Sequence, residues 1–110
     1  MTKEKADLLQ GTLDMLILKA LQIEPMHGFG LSVRLRRMSK ELFQVEMGSL
    51  YPALCRIEAR GWIKAVWGIS DNNRKARYYS LTHSGRKQLG EETNRWETLS
   101  TTINSMLRAT

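Results

Sequence analysis

From His83 to Leu107 the chain runs 25 residues without a proline and with glycine only at 85 and 90, and Thr82 stands before it as an N-cap. This predicts a single helix, about 37 Å long at 1.5 Å per residue. Along it Leu89, Trp96 and Ile103 stand seven apart, Leu99 and Met106 form a second row of the same spacing, and Glu91, Glu92, Arg95 and Glu97 flank them. Such an apolar seam needs a facing helix. The other helical patterns in the chain are short, so the expected cover is a second copy of this helix.

The region before Thr82 reads as a series of short elements. Thr12 is an N-cap candidate for a helix over 13–23, where Leu13, Leu16, Ile17, Ala20 and Leu21 recur with helical spacing, Met15 and Leu18 widen the stripe, and Asp14 suits the helix start. Pro25 ends it. A second helix is expected over 28–39, capped by His27, with Leu31, Leu35 and Met38 inward and Arg34, Arg36 and Arg37 mostly outward. From Leu42 to Met47 the alternation of Phe43, Val45 and Met47 with Gln44 and Glu46 predicts a short half-buried strand. GSLYPALCRIEARGWI then predicts a third helix over 48–60, stopped by Gly61. WIKAVW and RYYSLT, joined by GISDNNRKA, predict a hairpin with a flexible basic tip. Residues 1–82 and 83–110 are therefore expected to form one compact unit of two parts.

Charge is unevenly spread. The formal net charge is +6, and from Arg56 to Lys87 eight basic residues meet two acidic ones, so the whole excess lies in that stretch. This is the footprint of a surface that meets a polyanion, or of a solvated basic face. No apolar run approaches the roughly 20 residues that span a bilayer. The N-terminus lacks an export pattern, and the single Cys55 excludes an internal disulfide, so a reducing cytoplasm is expected.

Helix, helix, short strand, helix, hairpin is the order of a winged helix-turn-helix, whose third helix enters the DNA major groove. On the third helix Leu50, Ala53, Leu54 and Ile57 share one face, and Tyr51, Pro52, Cys55, Arg56 and Ala59 the opposite one. With Ser49 as N-cap, Pro52 is the third helical residue, where its missing N–H costs little. Ser49 and Tyr51 can then meet a phosphate at the helix start, while Arg56 could read guanine and Tyr51 a thymine methyl. Otherwise Tyr51 is a half-buried packing residue, and Arg56 pairs with Glu58 or with an acid on the second helix.

The blocks LLQGTLDMLIL, HGFGL, GSLYPALCRIEARGWI and RKARYYSLTHSGR, in this order, resemble the signature blocks of the PadR-like transcriptional regulators, and the similarity runs from about Leu8 to Leu107. The resemblance implies a mainly α winged helix-turn-helix with a small β-hairpin wing and a long C-terminal dimerisation helix. It further implies a homodimer, usually a repressor on a palindromic operator, whose last helix packs on the first. It carries DNA binding onto Ser49 and Tyr51 and onto the wing residues Arg74, Lys75 and Arg77. Long members of the family add a multi-helix C-terminal domain, so this chain resembles the short subfamily and phenolic-acid sensing does not transfer. Some short members bind flat aromatic compounds at the dimer centre through a tryptophan that Trp96 matches. That makes a small aromatic effector an alternative role for Trp96, beside simply filling the seam.

Other chemistry finds no motif. Cys55 is alone, His27 and His83 build no zinc site without a second cysteine, and neither a nucleophile motif nor a phosphate-binding glycine pattern occurs. No enzyme, cofactor or metal is expected, and no membrane partner.

Overall fold

The computed structural model describes the backbone of residues 2–110 and the side chains of residues 12–110. Its elements are α1 (Thr2–Ile23), β1 (Met26–His27), α2 (Gly28–Met38), α3 (Met47–Ala59), β2 (Ile63–Ile69), β3 (Lys75–Leu81) and α4 (His83–Arg108). The three strands form one antiparallel sheet in the order β1, β3, β2. The fold is a winged helix with a long C-terminal helix, as expected.

Two boundaries differ from the sequence reading. The first helix starts at Thr2, not at Leu13, so Thr12 lies inside it. The residues before it are mostly good helix formers, and the cost of Gly11, about 1 kcal/mol relative to alanine, is too small to end a helix on its own. No strand forms over 42–47. Val45 is buried and Phe43 and Met47 pack partly against the core, so the alternation reported the facing correctly. What it could not report is pairing, and this segment pairs with none of the three strands. The turn there runs through Lys40 and Glu41, both with positive φ, and is closed by the Glu41 N–H on the Arg36 carbonyl at 2.8 Å. The third strand is β1, only two residues long, with Met26 opposite Tyr79 and His27 opposite Tyr78.

The core draws on every helix. Ile17, Leu18, Leu31, Leu50, Leu54 and Ile57 are its largest fully enclosed side chains, closed by Ile63, Tyr79 and Leu81 from the sheet. Burying one such side chain contributes roughly 1.5–3 kcal/mol, so this junction of α1, α2 and α3 fixes where α3 points. Met38 is exposed, unlike Leu31 and Leu35, because α2 ends there and the chain turns away. Arg34 is not outward either. Its guanidinium turns back to the end of α1, donating to the Ala20 and Glu24 carbonyls and to the Glu24 carboxylate, and so satisfies helix-end acceptors.

Three helix ends are capped as their sequences suggest, the starts of α2 and α4 and the end of α3. His27 Nδ1 accepts the Gly30 N–H at 3.0 Å at the start of α2. At the end of α3 the Gly61 N–H donates to Glu58 and the Trp62 N–H to Ile57, with Gly61 at φ +79°, a Schellman turn. Thr82 Oγ1 accepts the Gly85 N–H and donates to the Gly61 carbonyl, which also takes the Ser84 hydroxyl. Gly85 sits so close to the Trp62 carbonyl that a Cβ would overlap it. The start of α4 is thereby fastened to the turn that ends α3.

Candidate nucleic-acid interface

Leu50, Ala53, Leu54 and Ile57 turn one face of α3 into the core, which leaves Ser49, Tyr51, Pro52, Cys55 and Ala59 exposed on the other. The helix begins earlier than the Ser49 cap implied. Glu46 stands at the N-cap with no side-chain hydrogen bond, Met47 is the first helical residue, and Pro52 is the sixth. Met47 packs partly against the core, and that anchor draws the preceding residues into the helix. Pro52 therefore removes a helical donor from the Gly48 carbonyl, and Gly48 is exposed with open space around its Cα, so water can serve that carbonyl.

Tyr51 is 52% exposed and leans toward α2. A Cβ on Gly28 would stand 3.9 Å from the Tyr51 hydroxyl and 3.0 Å from the Met47 methyl. The first turns of α2 and α3 thus meet at a glycine. A shallow cleft continues from this junction between α2 and the approach to α3, lined by Phe29, Ser32, Arg36, Gln44, Glu46 and Met47.

The structure redistributes the cations. Arg56 is paired within the chain. It grips Asp14 of α1 with both Nη2 (2.6 Å) and Nε (3.2 Å), and this hydrogen-bonded carboxylate raises the pKa of the guanidinium. The partner is thus on the first helix, neither Glu58 nor an acid on the second. Glu58 is taken instead by Arg77, at 2.9 Å, and the same guanidinium lies 5.8 Å from the Tyr79 ring centre. Burial pushes the Tyr79 phenol pKa up, and the charge of Arg77 partly opposes that.

Arg74 and Lys75 are exposed at the wing tip and make no ion pair among the described residues. The tip itself is closed by hydrogen bonds, with the Ser70 N–H on the Arg74 carbonyl (2.8 Å) and the Asn73 N–H on the Ser70 carbonyl (2.9 Å). Arg36 and Arg37 in the last turn of α2 and Lys40 just after it are also exposed and make no ion pair among the described residues, and Arg36 lines the cleft beside the start of α3. The sequence reading placed Arg36 and Arg37 mostly outward but gave the three no role, because the residues outside 56–87 carry nine charges of each sign and hide this local cluster. Among the described residues no group of three or more His, Cys, Asp or Glu is placed to hold a metal ion.

Along α4 the apolar row divides. Leu89 is 5% exposed and belongs to the core of its own chain, so it leaves the seam assigned to it. Trp96 (46%), Leu99 (49%), Ile103 (45%) and Met106 (71%) are exposed. The reason is geometric: the first turns of α4 lie on the winged domain, and the same stripe continues past its edge.

A family model for PadR-like transcriptional regulators matches residues 17–91. The chain belongs to that family. This PadR-like chain also resembles solved structures along nearly its whole length. A PadR-like transcriptional regulator from Bacillus cereus is 32% identical with a TM-score of 0.82, covering 94% of this chain and 99% of that one. A transcriptional regulator from Clostridium thermocellum is 28% identical with a TM-score of 0.84, covering 93% and 99%. An uncharacterised protein of Lysinibacillus sphaericus is 27% identical over 92 residues, 84% of each chain. PadR-like proteins regulate transcription by binding DNA and are not enzymes. Among the described residues no helix is long and apolar enough to cross a membrane.

Proposed function

We propose that this PadR-like chain is a cytoplasmic homodimeric repressor that binds a palindromic operator. The observation that carries the reading is the outer face of α3, which leaves Ser49 and Tyr51 exposed, with Arg36 of α2 in the cleft beside the start of the helix and the wing, with its exposed Arg74 and Lys75, tied to Glu58 near its other end through Arg77. In the complex, α3 enters the major groove with its N-terminal turns foremost, and the flanking cations hold the phosphate backbone on either side. Arg77 joins them by exchanging Glu58 for a phosphate. Arg56 contributes by holding α3 against α1 through Asp14.

Two copies pair through α4 along Trp96, Leu99, Ile103 and Met106, and Trp96 serves that seam. The two recognition helices then meet successive major grooves about 34 Å apart. A dimer seated there represses by blocking polymerase.

Titrating the protein onto the DNA upstream of its own gene at several salt concentrations tests this. Affinity is expected to fall steeply with salt as counterions are released, and a flat dependence contradicts the reading. Tyr51→Ala is expected to weaken binding about tenfold at unchanged dimer content, and an unchanged affinity removes Tyr51 from the site.

A further inference from the structure

The wing carries more than cations. Trp67 is 69% exposed and Ile69 is 61% exposed, although both lie on a strand that elsewhere feeds the core. The pairing register fixes their neighbours. Trp67 stands directly opposite Arg77, and Ile69 directly opposite Lys75, so the four side chains share one face of the sheet. It is also the face of Ile63, Tyr79 and Leu81, and Arg77 reaches from it to Glu58 of α3. The wing thus presents two large apolar groups between cations on the side turned toward the recognition helix.

We propose that Trp67 and Ile69 contact the walls of the DNA minor groove beside the major groove that α3 occupies. The proposal rests on the DNA-binding reading above. Minor-groove walls are the carbon-rich faces of deoxyriboses, with phosphates along both rims. An apolar wedge flanked by cations matches that chemistry. A second copy of this chain fits the patch poorly, because it would bring Lys75 and Arg77 toward like charges on a chain of net charge +6. A contact of this type adds affinity without releasing counterions, which separates it from the phosphate contacts of Arg74 and Lys75.

The test uses the full-length protein and a labelled duplex enriched by selection from random sequence. Trp67→Ala is expected to weaken binding about tenfold with the slope of log affinity against log salt unchanged, whereas Arg74→Gln lowers that slope by about one. Trp67→Phe is expected to keep most of the affinity and to lose most of the DNA-induced change in tryptophan emission. Unchanged affinity in Trp67→Ala overturns the proposal. So does a loss of slope, which assigns Trp67 to positioning a cation, or a change in sedimentation of the free protein, which assigns the patch to self-association. If Trp67→Ala does not fold, the emission change in Trp67→Phe decides alone: retained, it overturns the contact. Failure of the unaltered protein to bind any duplex refutes the DNA-binding reading itself, before either variant is compared.

Discussion

Neutralising Glu58 is expected to strengthen DNA binding. Its carboxylate holds the Arg77 guanidinium at 2.9 Å, and the two side chains are 31% and 40% exposed. A pair this open is worth less than about 1 kcal/mol to folding, so Glu58→Gln leaves the protein folded with a melting temperature within a few degrees of the original. In the unaltered protein Arg77 must leave Glu58 before it meets a phosphate, and the substitution removes that cost together with one negative charge from the recognition helix. A pair of up to about 1 kcal/mol converts to a gain of up to about fivefold in affinity. The salt slope should stay as it was, because Arg77 makes the same phosphate contact in both proteins. Fluorescence anisotropy of a labelled duplex between roughly 50 and 200 mM salt measures both quantities, and Arg77→Gln in the same background should abolish the gain. If Glu58→Gln binds more weakly, Glu58 is holding Arg77 in its binding pose, and if the slope steepens by about 0.9, Arg77 of the unaltered protein stays on Glu58 in the complex; either result makes the exchange of carboxylate for phosphate wrong.

Other consequences are equally direct. Gly85→Ala drives a Cβ into the Trp62 carbonyl and should cost about 2–3 kcal/mol in chemical denaturation, whereas Gly90→Ala meets open space and should gain about 0.5–1 kcal/mol. Equal effects would show that α4 is not fastened at Gly85. The raised phenol pKa of Tyr79 means that the folded state keeps a proton the unfolded chain gives up above pH about 10. Stability should thus fall with pH there by up to 1.36 kcal/mol per unit, and Tyr79→Phe should remove that part of the slope in denaturation curves taken from pH 9 to 11. Ile103→Asp is expected to give monomers in sedimentation with the fold intact, and Leu89→Ala to lose about 2–5 kcal/mol of stability without that dissociation. The reverse outcome would return Leu89 to the seam.

What the sequence disclosed and what it hid follow one physical division. Periodicity reports which way a residue faces, so Leu50, Ala53, Leu54 and Ile57, the alternation of Phe43, Val45 and Met47, and the stripe of α4 were all legible. Local hydrogen-bond chemistry was legible too, in the caps at His27 and Thr82 and the stop at Gly61. Pairing across space was not. Asp14 and Arg56 are 42 residues apart, and Arg77 and Glu58 19 apart, and nothing in their own neighbourhoods marks them as partners. The same limit explains the false strand at 42–47 and the missed β1, since an extended segment becomes a strand only when another lies beside it. Leu89 shows a related failure. Heptad spacing places it with Trp96, but spacing alone does not say where the stripe leaves its own domain.

In the proposed complex two α3 helices, set apart by the α4 seam, read one palindromic site. Selection of bound duplexes from a random-sequence pool decides whether they do. The expected result is enrichment of an inverted repeat whose half-site centres lie about 34 Å, or one helical turn, apart, lost when Ile103→Asp disrupts the dimer. Enrichment of a single unrepeated site, or of no sequence at all, would contradict it.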